Sequence, residues 1–157
     1  MTNALELRVR RVACDLHDHQ VARLYKIPND VKMEQGVIVH GEQTPCDFIG
    51  FTVSGRAILL ECKMFSKPSL PLGEKGLKQH QLKAITECHR AGGIGLLIWQ
   101  HGAEIAVIDP EQVLAYGRGR KSIPWKAIPP RFIRPVAVES LQFFWPFMPK
   151  LATAPSP

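Results

Sequence analysis

Apolar and polar positions along this chain of 157 residues alternate between two rhythms, one helical and one extended. From Asn3 to Lys26 the spacing of Leu5, Val9, Val12, Leu16, Val21 and Leu24 approximates one helical face. Asn3 can cap that helix, with Glu6 three residues on in capping-box position. Ile27-Pro28-Asn29-Asp30 ends it, so the pattern predicts one long helix over 3–26. A strand is expected around Val37-Ile38-Val39. Cys46–Val53 and Ala57–Cys62 are apolar and β-prone, and Ser54-Gly55 between them signals a hairpin turn.

Phe65 to Gly76 reads as a loop punctuated by Pro68, Pro71 and glycines. Leu77 to Arg90 reads as a second helix, closed by Gly92-Gly93. Ile94–Trp99 is a continuous apolar run of the kind found in a strand buried on both faces. Glu104–Ile108 predicts a further strand, and Pro110–Tyr116 a short helix with proline at its start. The order predicts an α/β fold: a mixed sheet flanked by helices, with a crossover helix between the hairpin and the buried strand.

Hydrophobic residues make up 45% of the chain, enough for one globular domain over 1–150, with a fraying Pro/Ala/Ser tail over 151–157. No apolar run approaches the ~20 residues of a membrane span, and no secretory leader is recognisable. Cys14, Cys46, Cys62 and Cys88 are scattered, with no CxxC pair, which predicts buried thiols in a reducing, cytoplasmic compartment. Twenty Lys and Arg against fourteen Asp and Glu give a formal charge of +6, which favours nucleic acid as the partner. The basic positions thicken after Gly117, where Arg118, Arg120 and Lys121 precede an aromatic cluster over Phe143–Phe147.

The candidate chemistry sits on the hairpin. Glu61 and Lys63 are two residues apart on a strand and share a face. A three-residue loop, Val53 to Gly55, places Asp47 opposite Glu61; a slip by one sends Asp47 to the other face. Two carboxylates so close repel unless a cation lies between them. A hard ion such as Mg²⁺ suits such a pair, and Lys63 could steady a water or a developing phosphate charge. The plain alternative is a surface hairpin with two solvated acids and a lysine, because the spacing is a loose pattern.

Beyond those three residues the chain resembles the RecU-type Holliday-junction resolvases, a branch of the PD-(D/E)xK nucleases with a restriction-endonuclease-like fold. The residues that carry the resemblance are Leu5-Glu6 through Gln20, Ala22, Lys26 and Pro28; Thr44 and Asp47–Gly50; Gly55-Arg56, Glu61 and Lys63. Phe65–Leu72, His80-Gln81, Gly92-Gly93-Ile94 and Gly119–Ile123 extend it, so that it covers roughly 5–135. The segment from Asn29 to Cys46 is shorter than the family's stalk, and in this the chain is also similar to the small archaeal and phage resolvases.

The resemblance implies a Mg²⁺-dependent endonuclease, with Mn²⁺ as a substitute, that cuts branched DNA as a homodimer in a bacterium or a phage-infected host. It implies Asp47, Glu61 and the Cys62 carbonyl as metal ligands, Lys63 as the catalytic lysine, and Gln81 pointing to the same site. Glu6 would touch a metal-bound water, or would serve only to cap its helix. Arg8, Arg11, Lys67, Lys78, Arg118, Arg120 and Lys121 are the expected DNA contacts. The first helix, the edge of the buried strand and the Phe143–Phe147 cluster are the expected dimer surfaces. The rival readings are a nuclease of the same fold acting on duplex or flap DNA, and a DNA-binding protein of that fold without catalysis.

Overall fold

A computed structural model describes residues 3–28, 31–34, 37–40 and 44–136. The cluster at 143–147 and the boundary at 150 lie outside the described residues. Helix α1 spans Ala4–Asp18, and Asn3 caps it by accepting from the Glu6 backbone N–H. Strands β1 (Ala22–Lys26), β2 (Val31–Glu34), β3 (Val37–His40), β4 (Phe48–Thr52), β5 (Ala57–Met64) and β6 (Ser69–Pro71) follow. Then come α2 (Gln79–Arg90), β7 (Ile94–His101), β8 (Glu104–Ile108), α3 (Pro110–Gly117), β9 (Ser122–Pro124) and β10 (Ile133–Pro135). Six strands form one mixed sheet in the order β1-β4-β5-β7-β8-β10. Only β5 and β7 run parallel, and α2 is the crossover between them.

The long helix predicted over 3–26 does not form. It stops at Asp18, Gln20 takes a left-handed φ of 56°, and the chain turns back as β1. β1 pairs antiparallel with β4, from Ala22↔Thr52 to Lys26↔Phe48. The spacing of Val21 and Leu24 fits either element, and pairing with β4 decides for the strand. β2 and β3 pair as a separate two-stranded ribbon, where one strand was expected. The expected loop at 65–76 contains β6, which pairs with β9, Leu70 opposite Ile123. The second helix begins at Gln79 rather than Leu77, because Leu77 is tied into the preceding turn by its N–H to the Pro71 carbonyl.

The hairpin register agrees with expectation. β4 and β5 pair from Phe48↔Leu60 to Phe51↔Ala57, and the Thr52 N–H donates to the Arg56 carbonyl. The loop is therefore Val53–Gly55, with Gly55 at φ 86°, a value that glycine adopts without a Cβ penalty.

α1 lies over the face of the sheet that carries Leu24, Lys26 and Phe48. Its apolar positions Leu5, Val9, Val12 and Leu16 are wholly buried within the protomer. α2 packs on β5 and β7, so close that a Cβ at Gly95 would collide with the Ile85 carbonyl. The two expectations of a dimer contact at the first helix and at the edge of the buried strand are therefore corrected. The apolar face of α1 is spent on the core, and β7 is bonded on both sides, by β5 and β8.

Candidate metal and nuclease site

The hairpin register brings the candidate acids to one corner of the sheet, beside the N-terminal turn of α1. Asp47 lies just before β4 and is nearly buried; its Oδ2 accepts from the Cys62 N–H at 2.8 Å, on the neighbouring strand. Glu61 is wholly buried on β5, with Lys63 Nζ 2.8 Å from its Oε1. Lys26 Nζ reaches across from β1 to Asp47 Oδ1 and Glu6 Oε2, 3.3 Å from each. One ion-paired cluster thus joins Glu6, Lys26 and Asp47, and Glu61 with Lys63 stands beside it.

Three carboxylates here face two ammonium groups, which leaves a negative charge uncompensated. Both Glu61 oxygens and Glu6 Oε2 are buried without a well-formed hydrogen bond. Burial, and then the neighbouring Asp47 charge, push the Glu61 carboxyl up to about 7 against the pull of Lys63. Buried anionic oxygen whose charge is not fully offset is costly, and a divalent cation relieves that cost. The donors therefore fit a hard, oxygen-seeking ion. Among the described residues no group of three or more His, Cys, Asp and Glu side chains is set to hold a metal. A Mg²⁺ ion, which takes one or two carboxylates and keeps several waters, agrees with so few protein donors. The flanking thiols take no part as anions: Cys46 is pushed up to about 12, and Cys62 well above the ordinary range, both chiefly by burial.

The other expected residues are dispersed. Gln81 stands in the first turn of α2, where its Oε1 accepts from the Lys78 N–H at 3.1 Å. Arg8 donates from Nη1 to the Val136 carbonyl at 2.7 Å and so ties α1 to the end of the described chain. Lys78 Nζ is 3.8 Å from Glu74 Oε2. Arg11, Lys67, Arg118, Arg120 and Lys121 are exposed. The β6–β9 ladder and the Leu72 N–H to Lys121 carbonyl bond bring the segments of Lys67 and Lys121 together. Sequence reasoning did not single out Lys26 as a member of the site. Its signal was a lysine in step with Ala22 and Leu24, on the inward positions of a short strand; a helical reading of the same residues hides that alternation.

A six-stranded mixed sheet with a crossover helix between its two parallel strands defines a restriction-endonuclease-like fold. The chain belongs to the Recombination protein U family, whose description matches residues 5–144. It is thus an endodeoxyribonuclease of the Holliday-junction resolvase kind, a kind that generally depends on divalent metal. The fold is similar to that of a Holliday junction resolvase, Hjc, from Archaeoglobus fulgidus, with a TM-score of 0.50 and 13% identity. That likeness covers 78% of this chain and 90% of the archaeal one. No curated protein sequence matches the chain. No helix among the described residues is long and apolar enough to cross a membrane.

Proposed function

We propose that this protein is a Mg²⁺-dependent, homodimeric endonuclease that resolves four-way DNA junctions by paired, symmetric nicks. The observation that carries the reading is Glu61, a buried carboxylate without a well-formed hydrogen bond, next to Asp47 and Lys63. Asp47, Glu61 and the Cys62 carbonyl are the groups that would hold Mg²⁺, and Mn²⁺ would accept the same donors. The ion supplies Lewis-acid polarisation of the phosphate and a water of lowered pKa.

The side chains around it divide the remaining work. The Cys62 N–H and Lys26 fix the Asp47 carboxylate in one orientation. Lys63, once its charge is no longer needed by Glu61, would steady the charge developing on the scissile phosphate. Glu6 would accept from a water at the same corner, and Gln81 would approach from α2. Arg8, Arg11, Lys67, Lys78, Arg118, Arg120 and Lys121 would take backbone phosphates, which position the DNA without reading its sequence. A four-way junction has an approximate two-fold axis, and one site makes one nick, so a symmetric pair of chains is required.

A labelled four-way junction and a duplex of equal length, each with Mg²⁺ and with chelator, test the reading. Symmetric nicks in the junction alone, in Mg²⁺ alone, are expected. Equal cutting of the duplex would replace it with a duplex nuclease of the same fold, and binding without cutting would leave a DNA-binding protein.

A further inference from the structure

α1 and the edge strand β1 bound a groove of about 710 Å³. Leu24, Lys26 and Phe48 line it with Arg10, His17, Arg23 and Tyr25. Lys26, one of the residues lining the groove, is also the side chain that grips Asp47.

A second observation meets the groove at β1. The register sets Arg23 opposite Phe51 and Tyr25 opposite Ile49, so these four side chains share one face of the sheet. Among the described residues α2 covers that face over β5 and β7, while Tyr25, Ile49 and Phe51 on β1 and β4 stay exposed. Tyr25 is 57% exposed, Phe51 48% and Ile49 44%. The two aromatics are diagonal neighbours about 7 Å apart at Cα, each with a ring open to solvent and an arginine beside them. Aromatic platforms interleaved with cations on an open sheet are how proteins hold unpaired nucleotides, because every base has a π-face and every link a charge.

We propose that the groove, on the α1 side of the sheet, and the exposed β1–β4 face, on the α2 side, form a track for a single DNA strand that passes around the edge strand β1. Arg10 and Arg23 pair with its phosphates, and Tyr25 and Phe51 stack its unpaired bases. The occupant is nucleic acid rather than protein because the groove offers two guanidinium groups, Arg10 and Arg23, against one carboxylate, Asp18, with Lys26 itself committed to Glu6 and Asp47. The track rests on the nuclease reading and adds to it a preference for substrates with unpaired nucleotides at the branch.

The test measures binding in Ca²⁺, where cutting does not interfere, with three labelled probes: a four-way junction, an oligo-dT single strand and a plain duplex. Tyr25→Ala with Phe51→Ala should weaken the junction and the single strand about tenfold or more, and the duplex little. Tyr25→Phe should bind as the wild type does, since the ring and not the hydroxyl is used. Arg10→Ala with Arg23→Ala should flatten the log–log salt dependence on the single strand by roughly 1.4. Equal loss on all three probes, or no loss, would overturn the track. So would conversion of the aromatic double variant to monomers by light scattering, which would make this face a contact between copies. These binding outcomes stand apart from the cleavage assay: a wild type that fails to nick junctions defeats the nuclease reading and leaves the track to be judged by affinity.

Discussion

Lys63 Nζ lies 2.8 Å from Glu61 Oε1, yet the carboxylate it approaches is wholly buried and titrates near 7. One lysine does not offset the loss of water and the charge of Asp47 together. The behaviour of Glu61 with pH follows from that imbalance.

Glu61 should make the metal-free protein less stable as pH rises. Its folded value, about 7, lies above its ordinary value of 4.5, so its contribution to stability is full below the ordinary value and is lost as pH climbs through about 7. The loss is on the order of 3 kcal/mol. In chelator, the melting temperature of the wild type should fall between about pH 4.5 and pH 7 and level off above that. Glu61→Gln should flatten that fall and melt higher than the wild type at the alkaline end. Mg²⁺ should restore the wild type there and do nothing for the variant, and its affinity should drop about tenfold per pH unit on the acid side, since one proton must leave. Identical melting profiles for the two proteins would remove Glu61 as the strained group.

Asp47→Asn should abolish junction cleavage while changing junction affinity only a few-fold, because Asp47 would hold the ion and not the DNA. Lys63→Ala should slow cleavage by orders of magnitude with less effect on Mg²⁺ affinity. Single-turnover rates beside gel-shift affinities check both; full activity of either variant in Mg²⁺ contradicts the assignment.

Arg118, Arg120 and Lys121 are exposed around the turn at Gly119, whose φ is 68°. Neutralising all three should flatten the log–log salt dependence of junction binding by up to roughly three. An unchanged slope would place the basic turn off the DNA.

Two matched nicks require two sites, so the protein should scatter light as a dimer at micromolar concentration. An obligate contact of that kind would bury on the order of 2,000 Å² or more. A 17.6 kDa monomer, alone and on the junction, would leave a nickase in place of a resolvase.

Gly95→Ala should test the packing that sets the crossover. With no room between β7 and the Ile85 carbonyl, the added methyl must push α2 away from the sheet. A loss of about 3 kcal/mol in urea unfolding is expected, whereas a wild-type midpoint would mean that α2 yields easily.

Local pattern alone determined a good deal. The Cys46–Val53 and Ala57–Cys62 runs specified the hairpin, a short-range property of turn and alternation; of its two possible registers the Asp47 and Glu61 chemistry favoured the one with the Val53–Gly55 loop, and that is the one that forms. The apolar run at Ile94–Trp99 announced a central strand, and the Asp47, Glu61 and Lys63 spacing announced the acid corner. What the tertiary structure decided was everything that depends on a distant partner. Residues 22–26 have a spacing compatible with helix, and only β4 makes them a strand. That choice carries Lys26 to Asp47 and Glu6, joins α1 to the site and opens the groove beside it. Whether the apolar stripe of α1 faces a core or a partner, and whether the buried strand has a free edge, were likewise settled by packing. Periodicity reports that a face is apolar; only the assembled sheet says what covers it.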